Sequence, residues 1–277
     1  MPTAEFDDDP QRNTWWRPVA AWMLLGFAVR TLLAFVVPLF PDETYYWEWS
    51  RRLASGYFDH PPGIAYLMAG GRAVFGDTSA GVRAGPAIAA IAVQIAASLA
   101  ALQIGGPVAA RRAAMLTTLL PLATLGLVLA TPDAPLLAFA MLTLFALDRS
   151  LASPVRSTQS TAWWCVAGVA LGLAFVSKYT AVLIPASLFV ACVVHPDLRR
   201  RFAEPGPYLA TVIAALMFAP VVLWNASNEW ISFRFQLGHG FGTGAKGNVI
   251  TRELELIGGQ LALATPILAI MLAAATW

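Results

Sequence analysis

VAAWMLLGFAVRTLLAFVVPLF, residues Val19–Phe40, decides the fold. A helix needs about 20 mostly apolar residues to cross roughly 30 Å of hydrocarbon, where lipid offers the backbone no hydrogen-bond partner but itself. The run has that length and exceeds the apolar core of a cleaved signal. Its leader, Met1–Asn13, contains Asp7, Asp8 and Asp9, so it reads as a retained first span. Similar segments recur near 83–104, 113–131, 134–147, 162–177, 179–194, 207–224 and 255–277, about eight spans in all; 134–147, 162–177 and 179–194 are short.

Composition agrees. Hydrophobic residues make up 58% of the 277-residue chain and charged residues 12%, against about 25% charged in a soluble domain. Mean hydropathy is +0.63. Ala/Leu runs replace the alternation of a membrane barrel, which makes the expected fold all-α, a polytopic helix bundle. Cys165 and Cys192 fall inside spans, where they act as small packing residues and imply no disulfide framework. A net charge of +2 gives no reason to expect a nucleic-acid partner. The expected organisation is a cytoplasmic segment 1–18 and a multi-pass domain 19–277. The chain stops at Trp277 inside an apolar run, the pattern of a piece of a longer protein.

Arginine placement sets the orientation. With the N-terminus cytoplasmic, the inner connections carry Arg12 and Arg17, Arg111 and Arg112, Arg149 and Arg156, then Arg199, Arg200 and Arg201. Trp15, Trp16, Trp163, Trp164, Trp224 and Trp230 fall near span ends, where an amphipathic ring sits at headgroup level. The expected location is the inner (plasma) membrane. The opposite face receives 41–83, the turns around Thr131–Pro135 and Lys178, and the loop 225–254.

Directly after the first span, Pro41–Leu53 reads as an interfacial helix. Tyr45, Trp49 and Leu53 form one stripe, and Glu48 pairs with Arg52 at i, i+4. Asp59-His60-Pro61-Pro62 then turns the chain into a second short helix through Ile64, Tyr66, Leu67 and Phe75. Asp42 and Glu43 have a plain structural reading as first-turn carboxylates that cap N–H groups and complement the helix dipole. Asp59-His60-Pro61-Pro62 has one as a helix-starting turn. Capping alone would scatter acids over both faces, yet this topology sends Asp42, Glu43, Asp59, Asp133 and Lys178 to one side. That convergence points to a shared polar site.

Acids and a cation at a lipid surface suit group transfer from a lipid phosphate. The phosphate leaves without a general acid. A carboxylate must take the proton of the attacking hydroxyl, and a cation must hold the departing charge. Lys178, with Arg51 or Arg52 helping, supplies the cation, and Tyr45, Tyr46 and Trp47 supply stacking surfaces. A divalent metal held by the carboxylates with the phosphate is left open.

The run Pro41-Asp42-Glu43-Thr44-Tyr45-Tyr46-Trp47-Glu48-Trp49-Ser50, followed by Gly56-Tyr57-Phe58-Asp59-His60-Pro61-Pro62, resembles the first external loop of the glycosyltransferase family 39 proteins. That group is related to the dolichyl-phosphate-mannose protein mannosyltransferases and the aminoarabinose transferases of lipid A. The likeness continues through Val82-Arg83, Thr131–Pro135, Phe175–Thr180 and Leu223–Ala226. It implies a GT-C architecture with interfacial helices in the first external loop. It also implies inverting transfer of a hexosyl or pentosyl group from a polyprenyl-phosphate donor to a lipid, glycan or protein acceptor hydroxyl on the outer face. Under this resemblance the catalytic carboxylate is Asp42, with Glu43 as the alternative. Asp133 positions acceptor or donor, Lys178 contacts phosphate, and Tyr45, Tyr46, Arg51, Asp59 and His60 line the substrate site.

Two other classes stay open: a transporter or flippase of lipid-linked substrates, and a non-catalytic subunit of an envelope complex. Matched, interrupted spans in two halves, the mark of many transporters, are not seen. Gly242–Gly247 spells G-x-G-x-x-G but follows no strand, so it carries no dinucleotide reading.

Overall fold

The computed structural model of the chain describes residues 14–241 and 248–264, and every regular element among them is helical. In order these are α1 (Trp16–Val36), α2 (Pro41–Ser50), α3 (Gly63–Phe75), α4 (Ser79–Leu119), α5 (Pro121–Gly126), α6 (Asp133–Ala152) and α7 (Thr158–Ser177). A 3-10 turn, Tyr179–Val182, leads into α8 (Leu183–Val194). Then come α9 (Pro196–Arg200), α10 (Gly206–Ser227), α11 (Ile231–Phe241) and α12 (Val249–Ala264). Five of them, α1, α4, α6, α7 and α10, are long and apolar enough to cross a membrane. The chain is membrane-integral.

Its packing is that of a protein dissolved in lipid. Large apolar side chains point outward, Leu24, Leu32, Leu216 and Leu223 among them, while the contacts are made by Ala110, Ala114, Ala146, Ala167, Ala170, Ala174, Ala210 and Ala214, all buried. Lipid tails match leucine in polarity, so helices gain by close backbone approach through small residues. Gly168 shows how close: a Cβ there would stand 2.6 Å from the Ala210 carbonyl oxygen, so α7 meets α10 backbone to backbone.

α4 is a hairpin, whose two arms carry the separate run 83–104 and the first part of 113–131. Gln94 Nε2 donates to the Ala114 carbonyl at 3.1 Å and to Thr118 Oγ1 at 2.7 Å. In one straight helix residues 94 and 114 would lie about 30 Å apart. The chain reverses at Gly106, whose φ of 72° suits glycine. Arg30 of α1 pins both arms, donating to Gln94 Oε1 and to the Thr117 carbonyl.

The run 113–131 is not one span. α4 ends at Leu119, Leu120 is extended, and Pro121 starts α5, since proline lacks the N–H that would continue the ladder. The run 179–194 enters as a 3-10 turn and forms a shorter apolar helix. Of 255–277, the part beyond residue 264 lies outside the described residues, as do 1–13 and the glycine-rich stretch 242–247.

The segment after α1 does carry two short helices, with a different buried face. α2 ends at Ser50, so Leu53 lies outside it, and Glu48 pairs with Arg51 instead of Arg52. Of the expected stripe only Trp49 is buried, and with Tyr46 it enters a core of Ile64, Ala65, Met68, Val82 and Ala130, while Tyr45 and Leu53 are exposed.

Candidate active site

The site forms where α2, the turn before α3, the start of α6 and the end of α7 meet. Two glycines permit it. At Gly63 a Cβ would lie 2.8 Å from the Val176 carbonyl, so α3 begins against the end of α7. At Gly56 it would lie 2.5 Å from the Trp224 ring, so the end of α10 lies on the loop. Tyr57 stacks on Trp49, with centroids 4.2 Å apart, and its hydroxyl lies 3.0 Å from the carbonyls of both Trp49 and Arg52, folding the segment back over α2. Asp59 and His60 are thereby carried toward Lys178 and Asp133.

Neighbouring carboxylates on α2 meet opposite environments. Glu43 is fully buried and both its oxygens are occupied. Arg83 donates through Nε to Oε1 at 2.7 Å and through Nη2 to Oε2 at 2.6 Å, and the Phe40 and Ala130 amides add 3.0 Å bonds. Burial pushes the Glu43 carboxyl upward, but the Arg83 hydrogen bonds and the two amides outweigh it and hold the group below the usual glutamate range. Arg83 also donates to the carbonyls of Ala34, Val37 and Pro38. The pair therefore joins the end of α1, α2, α4 and the segment leading into α6.

Asp42 is exposed and makes no hydrogen bond or ion pair among the described residues. Tyr46, whose ring is buried beneath it, reports the surroundings. Its hydroxyl is pushed well above the usual tyrosine range by burial, then by the negative charges of Asp59, Asp42 and Asp133. Three carboxylates from three segments thus stand within electrostatic reach of one hydroxyl.

The cation is Lys178. It sits in extended conformation just after α7, and its Nζ lies 2.6 Å from Asp133 Oδ1 at the first turn of α6. Both are partly solvent-exposed, so the pair can open. Tyr45 donates to Asp59 Oδ1 at 3.4 Å and packs edge-on to Trp49. His60 stands with its ring 6.1 Å from that of Tyr46. Burial pushes the imidazole below the usual histidine range; Asp59 and Asp133 oppose that shift and Lys178 adds to it.

The structure therefore brings together Asp42, Tyr45, Tyr46, Asp59, His60, Asp133 and Lys178. It puts Glu43 beneath them as a tie and Arg51 elsewhere. Arg51 pairs with Glu48 and lies over the Trp47 ring at 4.8 Å, within a surface group that includes the Arg72–Asp77 pair. Among the described residues no group of three or more His, Cys, Asp or Glu side chains is arranged to hold a metal ion.

Three residues at the site escaped the sequence reading of roles. Arg83 entered that reading within the Val82-Arg83 motif, with no role; a lone arginine opening an apolar run, opposite an acidic pair, was the available signal. Gln236 of α11 reaches the Asp59 carbonyl at 2.5 Å, and Tyr179 bonds to Ser232 at 2.7 Å. Both link segments over 50 residues apart, for which local sequence holds no signal.

Residues 59–224 match the family model described as dolichyl-phosphate-mannose-protein mannosyltransferase. That stretch includes Asp59, His60, Asp133 and Lys178 and begins after Asp42. Among curated proteins the chain is similar to the lipid A galacturonosyltransferase RgtD of Rhizobium johnstonii, 26% identical over 258 residues, covering 89% of this chain and 51% of that protein. Among solved structures it resembles ArnT of Cupriavidus metallidurans bound to undecaprenyl phosphate. There the TM-score is 0.71 at 21% identity, over 95% of this chain and 51% of that one. The Saccharomyces cerevisiae Pmt1–Pmt2 protein O-mannosyltransferase complex bound to the sugar donor follows, with a TM-score of 0.58 at 16% identity over 86% and 36% of the two chains. The structural likenesses are likenesses of fold. The chain spans about half the length of RgtD and of ArnT.

Proposed function

Because this chain belongs to the dolichyl-phosphate-mannose-protein mannosyltransferase family, we propose that it transfers a sugar from a polyprenyl-phosphate donor to an acceptor hydroxyl at the extracytoplasmic face of the inner membrane. The observation that carries the reading is Asp42, an unengaged exposed carboxylate sharing its surroundings with Asp59, Asp133 and the Lys178 cation.

Asp42 takes the proton of the acceptor hydroxyl as its oxygen attacks the anomeric carbon. The new C–O bond forms as the bond from that carbon to the phosphate oxygen breaks. The electron pair leaves with the polyprenyl phosphate, and the configuration inverts. Lys178 turns from Asp133 to the departing phosphate, a charge that grows in the transition state and so is worth more to stabilise there. Asp133, released, orients the sugar or acceptor. Tyr45 and Tyr46 line the sugar's side, and Asp59 fixes Tyr45. Glu43 is assigned to holding α2 in register rather than to proton transfer, since its lone pairs are spent on Arg83 and two amides.

In this reading the N-terminus, with residues 1–18, is cytoplasmic. Arg111 and Arg112 are exposed near the Gly106 reversal, the inner end of the α4 hairpin in this topology, as the bias of arginine toward the cytoplasm requires. ArnT was solved with undecaprenyl phosphate bound and RgtD is named for acting on lipid A, which makes a bacterial polyprenyl phosphate and an envelope glycolipid the first pair to try.

The test is sugar transfer in isolated membranes from a labelled polyprenyl-phosphate donor. Asp42→Asn should insert normally and lose transfer by about 100-fold or more, the usual contribution of a general base. Transfer at the wild-type rate would remove Asp42 from the chemistry.

A further inference from the structure

α11 belongs to the external loop 225–254, yet two of its side chains reach the first external segment. Phe235 packs against Phe58, with ring centroids 4.8 Å apart, and the next residue, Gln236, directs its side-chain amide at the Asp59–His60 pair. Nε2 lies 2.5 Å from the Asp59 backbone oxygen and 3.5 Å from His60 Nδ1. A carbonyl oxygen only accepts, so the atom facing it must be the amide nitrogen, and the two ends of Gln236 cannot be exchanged. That NH₂ group has a second hydrogen, and His60 Nδ1 is the atom in front of it.

A donor aimed at Nδ1 requires a lone pair there, which in a neutral imidazole puts the proton on Nε2. His60 Nε2 has no partner among the described residues. We infer that Gln236 is a positioning residue that holds His60 in its neutral Nε2–H form, leaving that N–H as a donor for an oxygen of the bound substrate. The charged groups around the ring are Asp59 on its own segment, Asp133 from α6 and Lys178 after α7, and the Tyr46 ring lies beside it. Lys178 and burial work with Gln236 against a second proton, while the two aspartates favour one.

The chemical consequence is a division of labour. Lys178 supplies full charge to the phosphate, and His60 supplies a directional neutral N–H to a phosphoryl or sugar oxygen. The arrangement exists only while α11 is seated, so the loop 225–254 controls the hydrogen-bonding character of the first external segment. This assignment rests on the transferase reading for the identity of the oxygen, but not for the tautomer itself.

The experiment is nitrogen-15 NMR of the full chain, labelled at histidine and held in lipid nanodiscs, with the His60 signals identified by their loss in His60→Gln. Wild type should show neutral His60 protonated at Nε2. Gln236→Glu replaces the donor with an anionic acceptor. It should move the proton to Nδ1 and raise the titration midpoint by about one pH unit or more, because a nearby negative charge favours imidazolium. Gln236→Leu should give a mixture of tautomers. Protonation at Nδ1 in wild type, or a tautomer and midpoint unchanged in both variants, would overturn the inference. The measurement needs no turnover. Wild-type protein that shows the expected tautomer but transfers no sugar upholds the role of Gln236 and counts against the transferase reading.

Discussion

Asp42 and Glu43 are adjacent carboxylates in opposite surroundings, and a helix turns consecutive residues about 100° apart, which is enough to separate them. Glu43 faces inward onto Arg83, and Asp42 faces out. Glu43→Ala should lower stability by roughly 3–5 kcal/mol, since it leaves the Arg83 charge buried and unpaired. Asp42→Ala should stay within about 0.5 kcal/mol. Thermal unfolding of both variants in one detergent checks the contrast; equal losses would deny it. The same pair fixes a pH dependence. The folded-state pKa of Glu43 lies below its ordinary value of 4.5, so the stabilisation is complete above that pH. It drains away as the pH falls through the lower folded-state value. Acid should therefore loosen wild type below about pH 4.5, and the effect should be smaller in Glu43→Gln, where Asp77 and Glu204 still contribute. At this scale the acidic residues and Lys178 were legible from their clustering on one face. Which of two neighbouring carboxylates is free was not, because that depends on the partner across the fold.

Among the elements, small residues decide where helices touch, and two glycines separate contact from mere composition. Gly168 of α7 lies against the backbone of α10, and a Cβ there would meet the Ala210 oxygen and Cα at 2.6 and 2.7 Å. Gly70 of α3 has nothing within 4 Å of the same position. Gly168→Ala should therefore cost about 1–3 kcal/mol by overpacking, whereas Gly70→Ala should be neutral or stabilise by up to about 1 kcal/mol through helix propensity. Unfolding midpoints that move in the same direction for both would contradict the α7–α10 contact. Run length alone identified α1, α6, α7 and α10 as helices. It also parted 83–104 from 113–131, on either side of the Gly106 reversal that the Gln94–Thr118 contact closes. It ran across the break at Leu120–Pro121, since one proline in an apolar run leaves its length and hydropathy unchanged.

At the level of the whole molecule, the bundle serves to hold loops from one face against each other. The ends of α7 and α10 support the segment between α2 and α3 at Gly63 and Gly56, and α11 closes over it at Asp59. If that face is extracytoplasmic, Asp42→Cys in a Cys165→Ala, Cys192→Ala background should react with a membrane-impermeant maleimide in intact, outer-membrane-permeabilised cells. Arg112→Cys should react only after lysis. Reversed accessibility would invert the topology and remove the site from the outer leaflet.

What the sequence determined by itself was the solvent. Runs of about 20 apolar residues have no stable alternative to helices in lipid, and arginine distribution and acidic clustering follow from the same hydration energetics. What only the tertiary structure decided was pairing: Arg83 with Glu43, Lys178 with Asp133, Gln236 with Asp59. These contacts join residues 40 to 177 positions apart. Hydropathy is a sum over neighbours in the chain, whereas a hydrogen bond depends on a distance of about 3 Å set by how every intervening helix packs.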